Sequence, residues 1–556
     1  MKTFIVLAKS EKHAYAREVW NERKGKKVIQ HYVRSLGRAT RDKQGKIRLL
    51  GKKMPDDFVV YDYAGAQLLF NLAEKLSIPD IINEKARATE TGIDTGMLLT
   101  LLSIAHSLGN LSFPKFQFWY SYSGLEEQAG IDEEKLTPTN ISRVLEKISW
   151  KPSLGSQDVV GDIVYDVETG LWEKITKEIE GLKGAPIYYD VTSIYTYSEN
   201  LEIAFFGHRQ RGAKNLPQIN IGLIVSRPNA FPIMHRIFPG NVTDKTTLKE
   251  ISALMKRKFG LTRKNTLVLD RGFDPETALK CLRAAKFGYL VALPFQSNEV
   301  CSIAASVPEE EICRAENLFF SNEYAVDIKK TLFGRAERFI LIFNPAKKVA
   351  EKLLRDGKIK ETVQMLDSYG AKLRKGNYMD ENQVVLRIDR ILHGVGKYFE
   401  YELKREGKRI SDLVSRKRED VIKKTESLDG RFMLACSDKK LGVEECIKLY
   451  KDRDLIEKTF RTFKGPIGIE PTRCRRLEQV NARIFVSYLS YLLLSYLQYL
   501  MREYGLDMGV DEFLMKANKI KIVKSVEESG IAFSAVSTIR AKDEKILPFL
   551  RKFVKM

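Results

Sequence analysis

Apolar positions recur along this chain at two spacings, and the change between them divides it. Within residues 55–180, in AGAQLLFNLAEKLSIPDIINEK, TGMLLTLLSIAHSLG and LTPTNISRVLEKI, they return every third or fourth residue, which predicts amphipathic helices. Breaks at Pro79-Asp80 and Pro138-Thr139 mark connections between them. From residue 185 the pattern changes. APIYYDVTSIYTY, LPQINIGLIVS, AFPIMHRIFPG and NTLVLD are rich in β-branched and aromatic residues and bounded by turn formers, which predicts strands. Helical patterns interleave at TDKTTLKEISALMKRKFG and DPETALKCLRAAKFG, and YLVALP follows as another strand. Three strands, a helix, a strand, a helix and a strand predict an α/β core with a mixed sheet, over 181–297.

The flanks are less regular. Residues 298–435 mix strand-like pieces (ERFILIFN, GKYFEYELKREGKRI) with charged helical ones (EKLLRDGKIKETVQML, VSRKREDVIKK) and read as a β-rich insertion. Strong helical patterns return over 436–505, and 506–556 reads as a basic helical tail, a candidate for dimerisation. Near the start, VWNERKGKKVIQHYVRSLG predicts two strands around a turn at Lys24-Gly25, placing a hairpin in residues 1–54. From Ile484 to Met501 the chain carries no formal charge over 18 residues, the threshold length for a membrane span. Three serines, a glutamine and four tyrosines interrupt that run, so a buried core helix of a soluble protein is expected instead.

Composition adds bounds. With 556 residues, 44% apolar, the chain has material for several domains or one elaborated enzyme, and wholesale disorder is excluded. Its net charge of +21 suits a polyanionic partner, nucleic acid first. Residues 1–53 hold sixteen basic against four acidic side chains, more than half of the whole excess. The hairpin there is suited to lie along phosphates, or equally to be a solvated surface hairpin. The aromatic run FPKFQFWYSYSG (113–124) is suited to stacking on bases or to a core, and core is the expectation.

Other chemistry is excluded by what the sequence lacks. Six cysteines (Cys281, Cys301, Cys313, Cys436, Cys446, Cys474) form no CxxC pair, which argues against a zinc ribbon or a disulfide scaffold and fits a reducing cytoplasm. Six histidines form no HExxH, and no GxxxxGK[ST] loop occurs, so neither a histidine zinc hydrolase nor a P-loop nucleotide site is expected. The apolar run Phe4–Ala8 is too short for a signal-peptide core.

Three acids are candidates for metal chemistry. Asp190 lies within the strand YYDVTSIY, and Asp270 ends the strand LVLD, just before Arg271-Gly272. A carboxylate among residues that otherwise want burial is costly unless paired or metal-bound. Glu457 belongs to LYKDRDLIEKTFRTFK, which has helical periodicity from Leu449 to Lys464. At about 100° per residue, with Tyr450 at zero, Arg453, Glu457, Lys464 and Arg461 all fall within about 60° of it. Leu449, Ile456, Phe460 and Phe463 form the adjoining apolar stripe. The face sets one acid among phosphate-binding groups: bidentate arginines, a lysine and a tyrosine hydroxyl. A plain i,i+4 pair of Arg453 and Glu457 is the simpler reading, but it leaves the rest of the strip unexplained.

Tyr450, Arg453, Glu457 and Lys464 have the spacing Y-(2)-R-(3)-E-(6)-K, which resembles the signature of DDE transposases of the insertion-sequence-four family. YDVTSIY, FPGNVTD, VLDRGF and DGRFMLACSD are also similar to that family. The resemblance covers most of 185–297 and 429–500, and more loosely the region before them. It implies an RNase H-like catalytic core, with Asp190, Asp270 and Glu457 as catalytic and metal-binding acids. Tyr450, Arg453 and Lys464 would hold a phosphate at the DNA end, with Arg461 added from the shared face. The family's nearest subgroup often has a histidine where this chain has Arg483, which is left out of the catalytic set.

The resemblance further implies two Mg²⁺ ions, with Mn²⁺ as substitute, and an in-line attack on a phosphodiester by water and then by the freed 3′-OH. The DNA partners would be terminal inverted repeats and a target duplex, with residues 55–180 binding the ends, a homodimer on paired ends, and neither a membrane nor a nucleotide cofactor involved. Cut-and-paste joining is the expected outcome. A hydrolysis-only nuclease and a domesticated, DNA-binding derivative are the rival readings.

Overall fold

The structure, a computed structural model, describes residues 4–9, 14–25, 27–41, 47–49, 58–86, 90–109, 112–148, 162–207, 216–242, 244–261, 264–376, 380–407, 409–465, 467–525, 533–537 and 545–555. Lys26 beside the predicted turn, Thr243 of FPGNVTD and much of the basic stretch after Arg41 lie outside these residues.

Strands β1 (Phe4–Lys9), β2 (Ala14–Lys24), β3 (Lys27–Arg41) and β4 (Ile47–Leu49) form an antiparallel sheet in that order. β2 and β3 pair from Tyr15↔Arg38 to Lys24↔Lys27, and Gly25 between them sits at φ +63°, which glycine adopts without a Cβ penalty. β5 (Val59–Asp62) then leads into α1 (Ala64–Lys75), α2 (Ile78–Lys85), α3 (Thr95–Ser107), α4 (Phe113–Ser121), α5 (Glu126–Ala129), α6 (Pro138–Ile148) and α7 (Asp162–Glu178). In α4, Phe116, Trp119 and Tyr120 are buried while Phe118, and Tyr122 just after the helix, remain exposed, so the aromatic run divides between core and surface.

The central sheet starts with β6 (Ile187–Tyr195), β7 (Gln218–Ser226) and β8 (Phe231–Pro239), an antiparallel meander. α8 (Asp244–Phe259), β9 (Thr266–Leu269), α9 (Pro275–Ala285) and β10 (Gly288–Leu293) follow. β9 pairs parallel with both β6 and β10, as helical crossovers require.

After α10 (Asn298–Ala305) and α11 (Glu309–Ile312), the chain returns to the same sheet as β11 (Leu318–Phe320), β12 (Glu323–Leu332) and β13 (Arg335–Phe343). Residues 318–343, expected within an insertion, are therefore strands of the main sheet. α12 (Pro345–Arg374), α13 (Glu381–Leu392), β14 (Phe399–Glu406), β15 (Arg409–Lys417) and α14 (Glu419–Glu426) leave it and close on a core of their own around Ile359, Leu366, Leu373, Val384, Ile388 and Leu413. β16 (Arg431–Cys436) re-enters between β13 and β10. Among the described residues the sheet order is β11-β12-β13-β16-β10-β9-β6-β7-β8.

α15 (Val443–Lys451) and α16 (Asp454–Lys464) come next, then α17 (Leu477–Glu503). The 27-residue α17 is apolar enough to cross a membrane, but 83% of its apolar window is buried inside the protein. Its polar groups have internal partners: Ser490 donates to the Ser103 carbonyl at 3.0 Å, and Tyr488 to the Pro232 carbonyl at 3.1 Å. α17 thus joins the helices after β5 to the sheet through one continuous core. The stretch after 506, expected as helical, contains α18 (Val510–Ala517), β17 (Lys521–Ser525), β18 (Phe533–Val536) and α19 (Leu547–Phe553). β17 is a strand because it completes a sheet with β5, pairing Lys521↔Asp62 through Lys524↔Val59, a partner no local pattern discloses.

Candidate active site

The parallel pairing of β6 and β9 sets the first relationship in the site. Ile187 is level with Leu267 and Tyr188 with Val268. Carrying that register forward brings Asp190 level with Asp270, and neighbouring in-register residues of parallel strands share a face. Tyr188, two residues before Asp190 and so on its side of β6, donates its hydroxyl to the Leu449 carbonyl of α15 at 3.2 Å. Both acids thus belong to the face that α15 and α16 cover.

The third acid comes from α16. The expected single helix is broken: α15 ends at Lys451 and α16 begins at Asp454. Asp452 and Arg453 form a tight turn, with Arg453 N–H donating to Tyr450 O at 3.2 Å and Ile456 N–H to Arg453 O at 3.0 Å. Asp452 is held aside by Arg227 at 2.8 Å, while Asp454 and Glu457 occupy the first turn of α16, where carboxylates are favoured by the helix dipole. Ile456, Phe460 and Phe463 are buried as the predicted apolar stripe, and Thr459 bonds Tyr491 of α17 at 2.6 Å. That packing leaves Glu457 and Arg461 exposed.

Arg453 joins the pieces. Its guanidinium forms an ion pair with Asp270 and reaches Glu457 Oε1 at 3.1 Å. It also donates to the Tyr450 hydroxyl oxygen at 3.1 Å, and Tyr450 in turn donates to Asp270 Oδ1 at 2.9 Å. Burial lowers the proton affinity of Arg453, but Tyr450, Asp270, Glu457 and Asp190 together outweigh it and hold the group above its usual range. Burial first, then the Asp270 charge, pushes the Tyr450 hydroxyl up from its ordinary value. Asp190 accepts the backbone N–H of Val191 at 2.8 Å. Lys464, two turns beyond Glu457 at the end of α16, donates to the Ser193 carbonyl of β6 at 2.8 Å. The structure therefore gathers Asp270, Glu457, Tyr450 and Arg453 in direct contact, with Asp190 acting on the same guanidinium and Lys464 tying the far end of α16 to β6.

Two further residues border the cluster. Arg271, next to Asp270, places its guanidinium 4.2 Å from the centre of the Phe432 ring, and the Tyr450 ring packs on Phe432 at a tilt of 43°, with centroids 4.9 Å apart. Both residues fall inside VLDRGF and DGRFMLACSD, but nothing in their spacing marks them as neighbours of the site. Arg483 donates to the Gly468 carbonyl at 3.1 Å and holds the chain after α16.

Among the described residues no three His, Cys, Asp or Glu side chains converge closely enough to hold a metal ion. The donors themselves suit a hard divalent cation, since carboxylate oxygens are what such ions take. The position on which they act already holds a positive group, the Arg453 guanidinium. Asp270 and Glu457, both paired with that guanidinium, therefore suit a cation by charge and donor chemistry.

A mixed sheet thus carries Asp190 and Asp270 on the face that the basic, Glu457-bearing α16 covers. The family described as transposase DDE domain matches residues 186–493, a span that includes all three acids, and the chain belongs to that family. No curated protein matches the chain. Among solved structures, the chain is similar to a piggyBac transposase synaptic complex with hairpin DNA, at 9% identity and a TM-score of 0.35, over 83% of this chain and 82% of that one.

Proposed function

We propose that this protein is an insertion-sequence transposase that cleaves the ends of its element and joins them to target DNA by metal-dependent phosphoryl transfer, in cut-and-paste fashion. The observation that carries this reading is the single guanidinium of Arg453 spanning Asp270 and Glu457, with the Asp190 charge acting on it as well. The order β8-β7-β6-β9-β10 supports the RNase H-like assignment of the core.

Asp190, Asp270 and Glu457 would hold Mg²⁺, which supplies charge stabilisation at the attacking and leaving oxygens of a phosphodiester. The remaining work falls to the chain itself. Arg453 and Tyr450 present donors to a phosphate at the DNA end, and Arg461 and Lys464 continue that positive strip along α16. Phe432 packs against both Arg271 and Tyr450, which helps fix where those donors point. The β2–β3 ribbon carries Arg23, Lys24 and Lys27 near its tip, suited to follow a DNA backbone or groove. The helices from α1 to α7 are assigned to DNA-end binding, two copies are expected on paired ends, and the protein acts in the cytoplasm on DNA.

The test is strand transfer with pre-cleaved DNA ends in Mg²⁺. Joined products are expected. Hydrolysis without joining would assign a nuclease, and binding without either reaction would assign a domesticated DNA-binding derivative.

A further inference from the structure

The acids of the candidate site are not free to receive a cation. Arg453 pairs with Asp270, lies 3.1 Å from Glu457 Oε1 and stands in the field of Asp190. The Tyr450 hydroxyl closes the arrangement, accepting from Arg453 at 3.1 Å and donating to Asp270 at 2.9 Å. One delocalised positive charge thus compensates a set of carboxylates that would otherwise repel one another. A doubly charged ion arriving among the same oxygens meets that guanidinium at close range, and like charges so near oppose each other strongly in a half-buried site.

Arg453 is placed to move. It lies in the turn between α15 and α16, at the head of α16 rather than within a helix, and its side chain is 26% exposed. A DNA-end phosphate arriving at that turn offers the guanidinium two oxygens in the fork geometry that suits it.

We infer that Arg453 is a placeholder cation coupling capture of a DNA-end phosphate to metal binding, so that the phosphate draws the guanidinium off Asp270 and Glu457 and opens them to a divalent ion. This rests on the transposase reading of the site. Without a DNA end the carboxylates stay neutralised by the chain's own arginine, and metal binds poorly. With an end bound, the same arginine grips the phosphate. Because coupling is reciprocal, phosphate strengthens metal binding by the factor with which metal strengthens phosphate binding.

The experiment titrates Mn²⁺ into the full-length protein without DNA, with bound metal read by electron paramagnetic resonance. Arg453→Gln is expected to bind Mn²⁺ about tenfold more tightly than wild type, within the usual range of coupling between sites. A short blunt duplex carrying a 5′ phosphate is expected to tighten Mn²⁺ binding by the wild type relative to the unphosphorylated duplex, and to leave Arg453→Gln unchanged. Equal Mn²⁺ affinity of wild type and Arg453→Gln would overturn the proposal, as would indifference of the wild type to the phosphate. The second comparison uses only unmutated protein, so it stands whatever the variant's stability. The double variant Arg453→Gln with Asp270→Asn separates the two levels of inference. Loss of its Mn²⁺ binding upholds the metal site even if the placeholder role fails, whereas Mn²⁺ binding equal to that of Arg453→Gln would remove the site reading itself.

Discussion

Tyr450 donates its hydroxyl hydrogen to Asp270 Oδ1 at 2.9 Å, joining residues 180 positions apart in the chain. Burial and the Asp270 charge keep the hydroxyl protonated, so it serves as a donor rather than a base. Tyr450→Phe keeps the ring on Phe432 and removes only that donor. It is expected to fold normally and to bind a phosphorylated DNA end about 1 kcal/mol more weakly, with no new pH dependence between about pH 6 and pH 9. Fluorescence anisotropy with phosphorylated and unphosphorylated duplexes checks this, and equal losses on both would refute a phosphate role.

Phe432 supports two donors at once. Replacing it by leucine keeps an apolar side chain in β16 but removes the surface on which Arg271 and Tyr450 rest. The expected cost is about 1–2 kcal/mol in binding of a DNA end, from the lost cation–π and ring contacts. Phe432→Tyr should restore it. A leucine variant that binds as wild type would show that the ring positions neither group.

Far from the acids, Glu168 of α7 is buried with His235 and Arg236 of β8. Glu168 Oε1 accepts the His235 backbone N–H at 2.9 Å and lies 2.6 Å from its Nδ1, and Arg236 lies over the Tyr165 ring at 3.9 Å. Removing one partner from such a cluster leaves buried charge without compensation. Glu168→Leu should cost about 3–5 kcal/mol of stability, and Glu168→Gln less, because it keeps an acceptor. Thermal unfolding checks the order, and a leucine variant as stable as wild type would contradict it.

His106 of α3 gives a pH signature. Burial first, then Arg483, lowers its pKa from 6.5 to about 3. Below pH 6.5 the unfolded chain takes up a proton that the folded chain refuses, so stability is lost as pH falls through that value. The slope is about 1.4 kcal/mol per pH unit, or about 2 kcal/mol by pH 5. His106→Leu should therefore gain on wild type between pH 7 and pH 5 by thermal unfolding. A constant difference across that range would show that His106 does not refuse the proton.

Much of the core was legible because its signals are local. Asp190 and Asp270 stand out as carboxylates in otherwise apolar strands, and the order from β6 to β10 follows from periodicity alone. The face bearing Tyr450, Arg453 and Glu457 survives the turn at Asp452, because a tighter turn of two residues shifts the helical angle too little to separate them. The pairing of Arg453 with Asp270 was not legible, since it depends on where a helix lands on a sheet strand far away in sequence. The same limit hid β13 beside β16, a partner separated by all of α12 to α14, and β17 beside β5 at opposite ends of the chain. ERFILIFN announces a strand, but its pattern does not say which sheet it joins.

The central claim is that Glu457, with the two aspartates, makes this protein a metal-dependent DNA-cutting enzyme. The direct measurement is Mg²⁺-dependent nicking of a supercoiled plasmid carrying the DNA that flanks the gene, by wild type and by Glu457→Gln. Wild type should nick at inverted repeats in that DNA. Glu457→Gln should bind it equally well and cut it roughly 10³-fold more slowly or not at all. Cutting by Glu457→Gln at the wild-type rate would contradict the account.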